Sequence, residues 1–95
     1  MNKTYSVKVY DYESDDPLFI MGFPTREEAM AYINEGNLDM WFDNRLHYCN
    51  VYQYVPIMVD WIFQVLTIRP FDNSGDWAVL PFTVCVEEDI YDDLY

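Results

Sequence analysis

Between Thr4 and Tyr10 the order TYSVKVY places Tyr5, Val7 and Val9 on one side of an extended chain and Ser6 and Lys8 on the other, the alternation of a half-buried strand. Polar and acidic residues follow from Asp11 to Pro17, and the apolar run Leu18 to Phe23 predicts a second strand. The two strands pair as a hairpin whose tip is Asp11 to Asp16.

In the next segment, Thr25 and Glu28 have the spacing of a capping box, and Glu27 and Glu28 suit the positive end of a helix. Ala29, Met30 and Ile33 recur at helical spacing, and Gly36 is placed to end the helix in a left-handed conformation. Asn37 caps one further short turn, Leu38 to Asp43, that would bury Leu38, Trp41 and Phe42.

The Tyr-rich order LHYCNVYQYV from Leu46 to Val55 predicts a strand, which Pro56 ends or bends. From Ile57 to Ile68 two patterns compete. Asp60, Gln64 and Thr67 form a polar helical stripe, whereas Trp61, Phe63, Val65 and Thr67 alternate as in a strand. The β-branched content, the turn residues Asp72-Asn73-Ser74-Gly75 and a following strand from Trp77 to Val86 favour a second hairpin. Pro81 then requires an edge position or a bulge. In the final EEDIYDDLY, the apolar Ile90, Tyr91, Leu94 and Tyr95 recur in pairs four apart, so residues 87–95 read as an acidic C-terminal tail or a short amphipathic helix.

These elements describe an α+β fold, an antiparallel sheet of four or five strands with one main helix packed on a face, in a single domain over residues 1–95. The length allows one core and no second. With 52% hydrophobic and 19% aromatic residues, the chain is far from the composition of a disordered acidic tail.

Charge changes the picture most. Seventeen acids stand against five Lys and Arg, a formal net charge of -12. The acids are unevenly placed: residues 46–69 hold one acid and one base, whereas residues 70–95 hold seven acids and no base. Such a chain repels nucleic acid and anionic lipid, and electrostatic steering favours a basic protein partner, many of which are basic because they hold DNA or RNA. No run approaches the roughly 20 apolar residues of a membrane helix. No charged-then-apolar signal segment precedes Tyr5, and Cys49 and Cys85, 36 residues apart, lack a CxxC pattern, so two buried thiols in a reducing, cytoplasmic setting are expected.

Candidate chemistry is sparse. The single histidine, His47, falls inside an expected strand without a nucleophile beside it. Asp11, Glu13 and Asp15 occupy positions that open a calcium loop, but Asp16 stands where the loop needs Gly and Gly22 where it needs a bidentate Glu. Asp72, Ser74 and Asp76 fit ordinary turn chemistry better than a metal site. The three glycines, Gly22, Gly36 and Gly75, are too dispersed for a phosphate loop. Neither a cofactor nor enzymatic activity is expected.

Alternate strand residues lie roughly 6.6 Å apart on one side, so Asp11, Glu13 and Asp15 would form a row of negative charge that Glu27, Glu28 and Glu35 extend along the helix. Short length, the acidic runs Asp11 to Asp16 and Glu87 to Asp93, and the lack of catalytic motifs resemble, in overall character, the small acidic inhibitors of bacteriophages and mobile elements, DNA-mimic anti-restriction proteins, uracil-DNA glycosylase inhibitors and anti-CRISPR proteins among them. The resemblance implies a protein that blocks a nucleic-acid-binding enzyme, such as a nuclease of host defence, by occupying its basic channel. The expected contact set is Asp11, Glu13, Asp15, Asp16, Glu27, Glu28, Glu35, Glu87, Glu88, Asp89, Tyr91, Asp92, Asp93 and Tyr95.

A second reading is an adaptor whose Ile90, Tyr91, Leu94 and Tyr95 dock in an apolar groove while the acids set on-rate and solubility. A third is a small enzyme, which would need a cofactor or a site shared between subunits. Monomer and homodimer both remain open, the latter by strand addition at an edge near Trp77 to Val86, which like charge opposes.

Overall fold

A computed structural model of the chain describes residues 2–47, 50–58, 61–68 and 77–91. Five strands, β1 (Asn2–Asp11), β2 (Phe19–Phe23), β3 (Val51–Pro56), β4 (Ile62–Ile68) and β5 (Ala78–Tyr91), form one antiparallel sheet with the order β2-β1-β5-β4-β3. Two helices, α1 (Arg26–Asn34) and α2 (Asp39–Leu46), cover one face. The class is α+β as expected, with two helices in place of one main helix.

The first hairpin forms as its alternation dictates. Tyr5, Val7 and Val9 pair with Phe23, Met21 and Phe19, and Val7 and Val9 are fully buried. On the other side β1 pairs along its whole length with β5, from Asn2 opposite Tyr91 to Asp11 opposite Phe82, so the last strand lies at the centre of the sheet.

That position corrects two expectations. Residues 87–91 are neither a tail nor a helix but the end of β5, and residues 92–95 lie outside the described residues. The Trp77 to Val86 segment offers no free edge, because β5 is flanked on both sides; the sheet edges are β2 and β3. Pro81 resolves as a bulge. The β4–β5 register shifts between Gln64, opposite Thr83, and Leu66, opposite Val79, while β1 pairing ends at Phe82. A residue without an N–H therefore sits where neither ladder requires one.

The strand predicted from Leu46 to Val55 begins only at Val51. Leu46 closes α2, and His47 takes the left-handed cap position at φ 62 with its N–H on the carbonyl of Asp43. His47 is thus a helix terminator on the surface, while Tyr48 and Cys49 fall outside the described residues. The ambiguous segment divides into a turn, with Met58 at φ 58 and the Ile57 N–H on the Ile62 carbonyl, and the strand β4. The turn over 72–75 lies outside the described residues.

Helix α1 starts as its sequence requires. Thr25 is extended, and its hydroxyl accepts the Glu28 N–H at 3.2 Å. Ala29 and Ile33, four apart, are buried against the sheet. Gly36 turns left-handed at φ +77, and a Cβ there would lie 3.2 Å from an Asp39 carboxylate oxygen.

Helix α2 carries Phe42 into the centre of the core. Its ring packs against Trp41, Tyr52, Tyr54 and Phe82 with centroids 5.0 to 6.4 Å apart, the offset and edge geometries that aromatic quadrupoles favour. Among the described residues, the opposite face of the sheet carries no helix.

Candidate partner-binding surface

The acids of β5 and the cations of β1 meet across the strand pair. Ser6 opposes Glu87 and Thr4 opposes Asp89, so Glu87, Asp89, Ser6, Lys8 and Tyr10 share the helix-free face. Lys8 Nζ lies 2.7 Å from Glu87 and 3.6 Å from Asp89. The Tyr10 hydroxyl donates to Glu87 at 3.1 Å, and the Ser6 hydroxyl donates to Asp89. The Lys8 hydrogen bond holds the Glu87 carboxyl below the ordinary range, and the same bond raises Lys8.

On the other face, Glu88 lies 3.4 Å from Lys3 and 3.6 Å from Arg26. The Arg26 guanidinium sits between the rings of Tyr5 and Trp61, 5.0 and 4.7 Å from their centroids. Three of the chain's five Lys and Arg are therefore engaged with Glu87, Glu88 and Asp89. Expected as the most negative contact surface, this run instead ties the last strand to the first.

The hairpin acids are arranged differently from the expected row. Only Asp11 belongs to a strand; its carboxylate accepts the Glu13 N–H at 3.0 Å, and the Ser14 hydroxyl accepts the Asp16 N–H at 3.2 Å. These are side-chain turns, which curl the backbone instead of alternating it. Glu13, Asp15 and Asp16 are exposed on that turn, and Glu27, Glu28 and Glu35 are exposed along α1. Among the described residues these six carboxylates form no ion pair.

Two acids absent from the expected set complete the picture. Asp39 and Asp43, four apart on α2, accept the hydroxyls of Tyr54 at 2.7 Å and Tyr52 at 2.8 Å. Burial, reinforced by these carboxylates, pushes both phenols far above their ordinary pKa of 10. Beside them Glu35, Asp39, Gln53, Tyr52 and Tyr54 line an open depression of about 420 Å³ between α1, α2 and β3. The DxxxD spacing and the alternating YxY were each visible in sequence; their facing one another was not.

The described residues offer little nucleophilic chemistry. Cys85 is buried and its thiol is pushed up to about 12 by burial and by neighbouring Glu87, leaving negligible thiolate near neutral pH. No group of three or more His, Cys, Asp or Glu among the described residues is placed to hold a metal, and no described helix is long and apolar enough to cross a membrane.

Of the expected contact residues, Glu87, Glu88 and Asp89 lie together in β5 as structural pairs, and the backbone of Tyr91 ends that strand. Asp11, Glu13, Asp15 and Asp16 lie at the hairpin turn, Glu27, Glu28 and Glu35 along α1, and Asp92, Asp93 and Tyr95 outside the described residues. No protein-family model, curated protein or solved structure matches the chain.

Proposed function

We propose that the protein binds a basic, nucleic-acid-binding enzyme and occludes its channel by presenting carboxylates where the enzyme holds phosphates. The observation that carries this reading is the division of the charge. The β5 acids take up Lys3, Lys8 and Arg26, and this leaves Glu13, Asp15, Asp16, Glu27, Glu28 and Glu35 exposed without a cation among the described residues.

The charge donors accordingly move from the C-terminus to the hairpin turn and α1. Glu28 and Glu35 are seven residues apart, about 10.5 Å along the helix axis, whereas duplex DNA places a charge about every 1.7 Å. One helix is too sparse to stand in for a duplex, so this reading requires the turn and the acidic depression at Glu35 and Asp39 to contribute as well. The adaptor reading would have to use side chains carried by a paired strand, since the backbone of Ile90 and Tyr91 belongs to β5.

The test is capture of host proteins on the immobilised chain, with elution by duplex DNA and by raising salt from about 50 to about 200 mM, a range over which phosphate-type contacts weaken steeply. Nucleic-acid-binding proteins released by both treatments, and not captured by a chain with the six exposed acids changed to Gln and Asn, are expected. Capture indifferent to salt, to DNA and to those changes overturns the reading.

A further inference from the structure

We infer that the helix-free face of the sheet is a self-association surface, on which a second copy of this chain packs sheet against sheet. The registers place Ile20 opposite Lys8, Ile62 opposite Cys85, Val55 opposite Gln64, Leu66 opposite Val79 and Val51 opposite Ile68, all on this face. Ile20 is 60%, Val79 59% and Val51 62% exposed. Apolar side chains thus occupy the β3, β4 and Val79 part of this face and the β2 edge at Ile20, on either side of the polar Ser6, Lys8, Glu87 and Asp89 cluster, on a sheet whose other face already holds the core.

The area suffices for a stable pair. Strands of 10, 5, 6, 7 and 14 residues, at a rise of about 3.3 Å and a spacing of about 4.8 Å, make a flat face of roughly 670 Å². The side chains corrugate it to a larger accessible area, close to the roughly 800 Å² per partner of a standard interface. Its mix of apolar and polar side chains is that of an ordinary interface, which is about as apolar as the rest of a protein surface.

Charge selects the occupant. On this face Lys8 stands within 2.7 and 3.6 Å of Glu87 and Asp89, so the surface is close to neutral and offers no field to a strongly basic partner. The acids of α1, without an ion pair among the described residues, lie on the helix layer behind the sheet. In a face-to-face pair the two helix layers are separated by three packing distances of roughly 10 Å each. Against a screening length of about 8 Å at physiological salt, repulsion between the two layers of carboxylates is largely extinguished. An isologous pair also leaves both acidic layers outward and free.

Sedimentation or light-scattering mass of the purified full chain across micromolar concentrations tests this, with folding of each variant checked by circular dichroism. The wild type is expected at about twice its 11.4 kDa chain mass, with association undiminished by added salt. Val79→Lys and Val51→Lys, each present twice in the pair, raise the dissociation constant at least about 10-fold singly and about 100-fold together. Met40→Lys, at a 72% exposed position on α2, leaves it unchanged. A monomeric wild type overturns the inference, as does a dimer that Met40→Lys weakens or that the β3 and β5 substitutions leave intact. If the wild type is monomeric and Val51→Lys with Val79→Lys abolishes capture of a host protein, the face belongs to that partner instead. The mass measurement itself uses no DNA and no host protein, so its failure is separate from failure of the proposed function.

Discussion

Lys8 Nζ sits 2.7 Å from Glu87 Oε2, joining the first strand to the last across 79 residues of sequence. The ammonium is mostly covered and the carboxylate partly open, so the pair is worth more than an exposed ion pair and less than a buried one. Lys8→Met leaves Glu87 and Asp89 side by side without their cation, and a loss of about 1 kcal/mol is expected from urea unfolding at neutral pH.

The same pair sets a pH window. The Glu87 carboxyl is lowered in the folded state from an ordinary value of 4.5, so the unfolded chain takes up its proton first as pH falls. The stabilisation is present above that value and disappears as pH drops through the folded pKa. The stability gap between wild type and Lys8→Met should shrink in urea titrations below about pH 4; a gap that stays constant down to full protonation would assign it to packing of the Lys8 stem instead.

At alkaline pH the sign reverses. Tyr52 and Tyr54 are raised far above 10 by burial and by Asp43 and Asp39, so the stabilisation of their neutral phenols is complete below about pH 10 and erodes as pH climbs. Phenolate absorbance should show two of the nine tyrosines ionising only on base unfolding. Replacing both with Phe should remove that late step and cost about 1 kcal/mol per lost hydrogen bond.

Helix α1 depends on its two ends. Thr25→Ala removes the acceptor of the Glu28 N–H and should cost about 1 kcal/mol. Gly36→Ala places a Cβ in a left-handed residue 3.2 Å from Asp39, and a cost of about 1 to 2 kcal/mol is expected in thermal unfolding. A neutral Gly36→Ala would mean that Asp39 yields without losing Tyr54.

Cys85 should be inert while the fold holds. In a Cys49→Ser background, its reaction with an aromatic disulfide reagent should proceed no faster than local or global opening, accelerating with denaturant. Rapid labelling of the native protein would show that the helix-free face opens readily around β5.

Sequence alone determined the elements whose signals are local. The TYSVKVY alternation, the Thr25 cap and the Gly36 stop depend on neighbours within a few residues, and each is found where its pattern placed it. The strand after α2 was read too early because Leu46 and His47 are compatible with a strand, and only the packing of Phe42 extends the helix to them. What the tertiary structure decided is long-range pairing. The acids of residues 87–95 read as an anionic tail or short helix, since no Lys or Arg lies near them in sequence. For Glu87, Glu88 and Asp89 the counter-charges lie far back in the chain, on Lys3, Lys8 and Arg26, and only the insertion of β5 beside β1 brings them within reach. Net charge is additive along the chain and was legible from sequence. Which carboxylates remain available depends on distances, and strand order alone sets those.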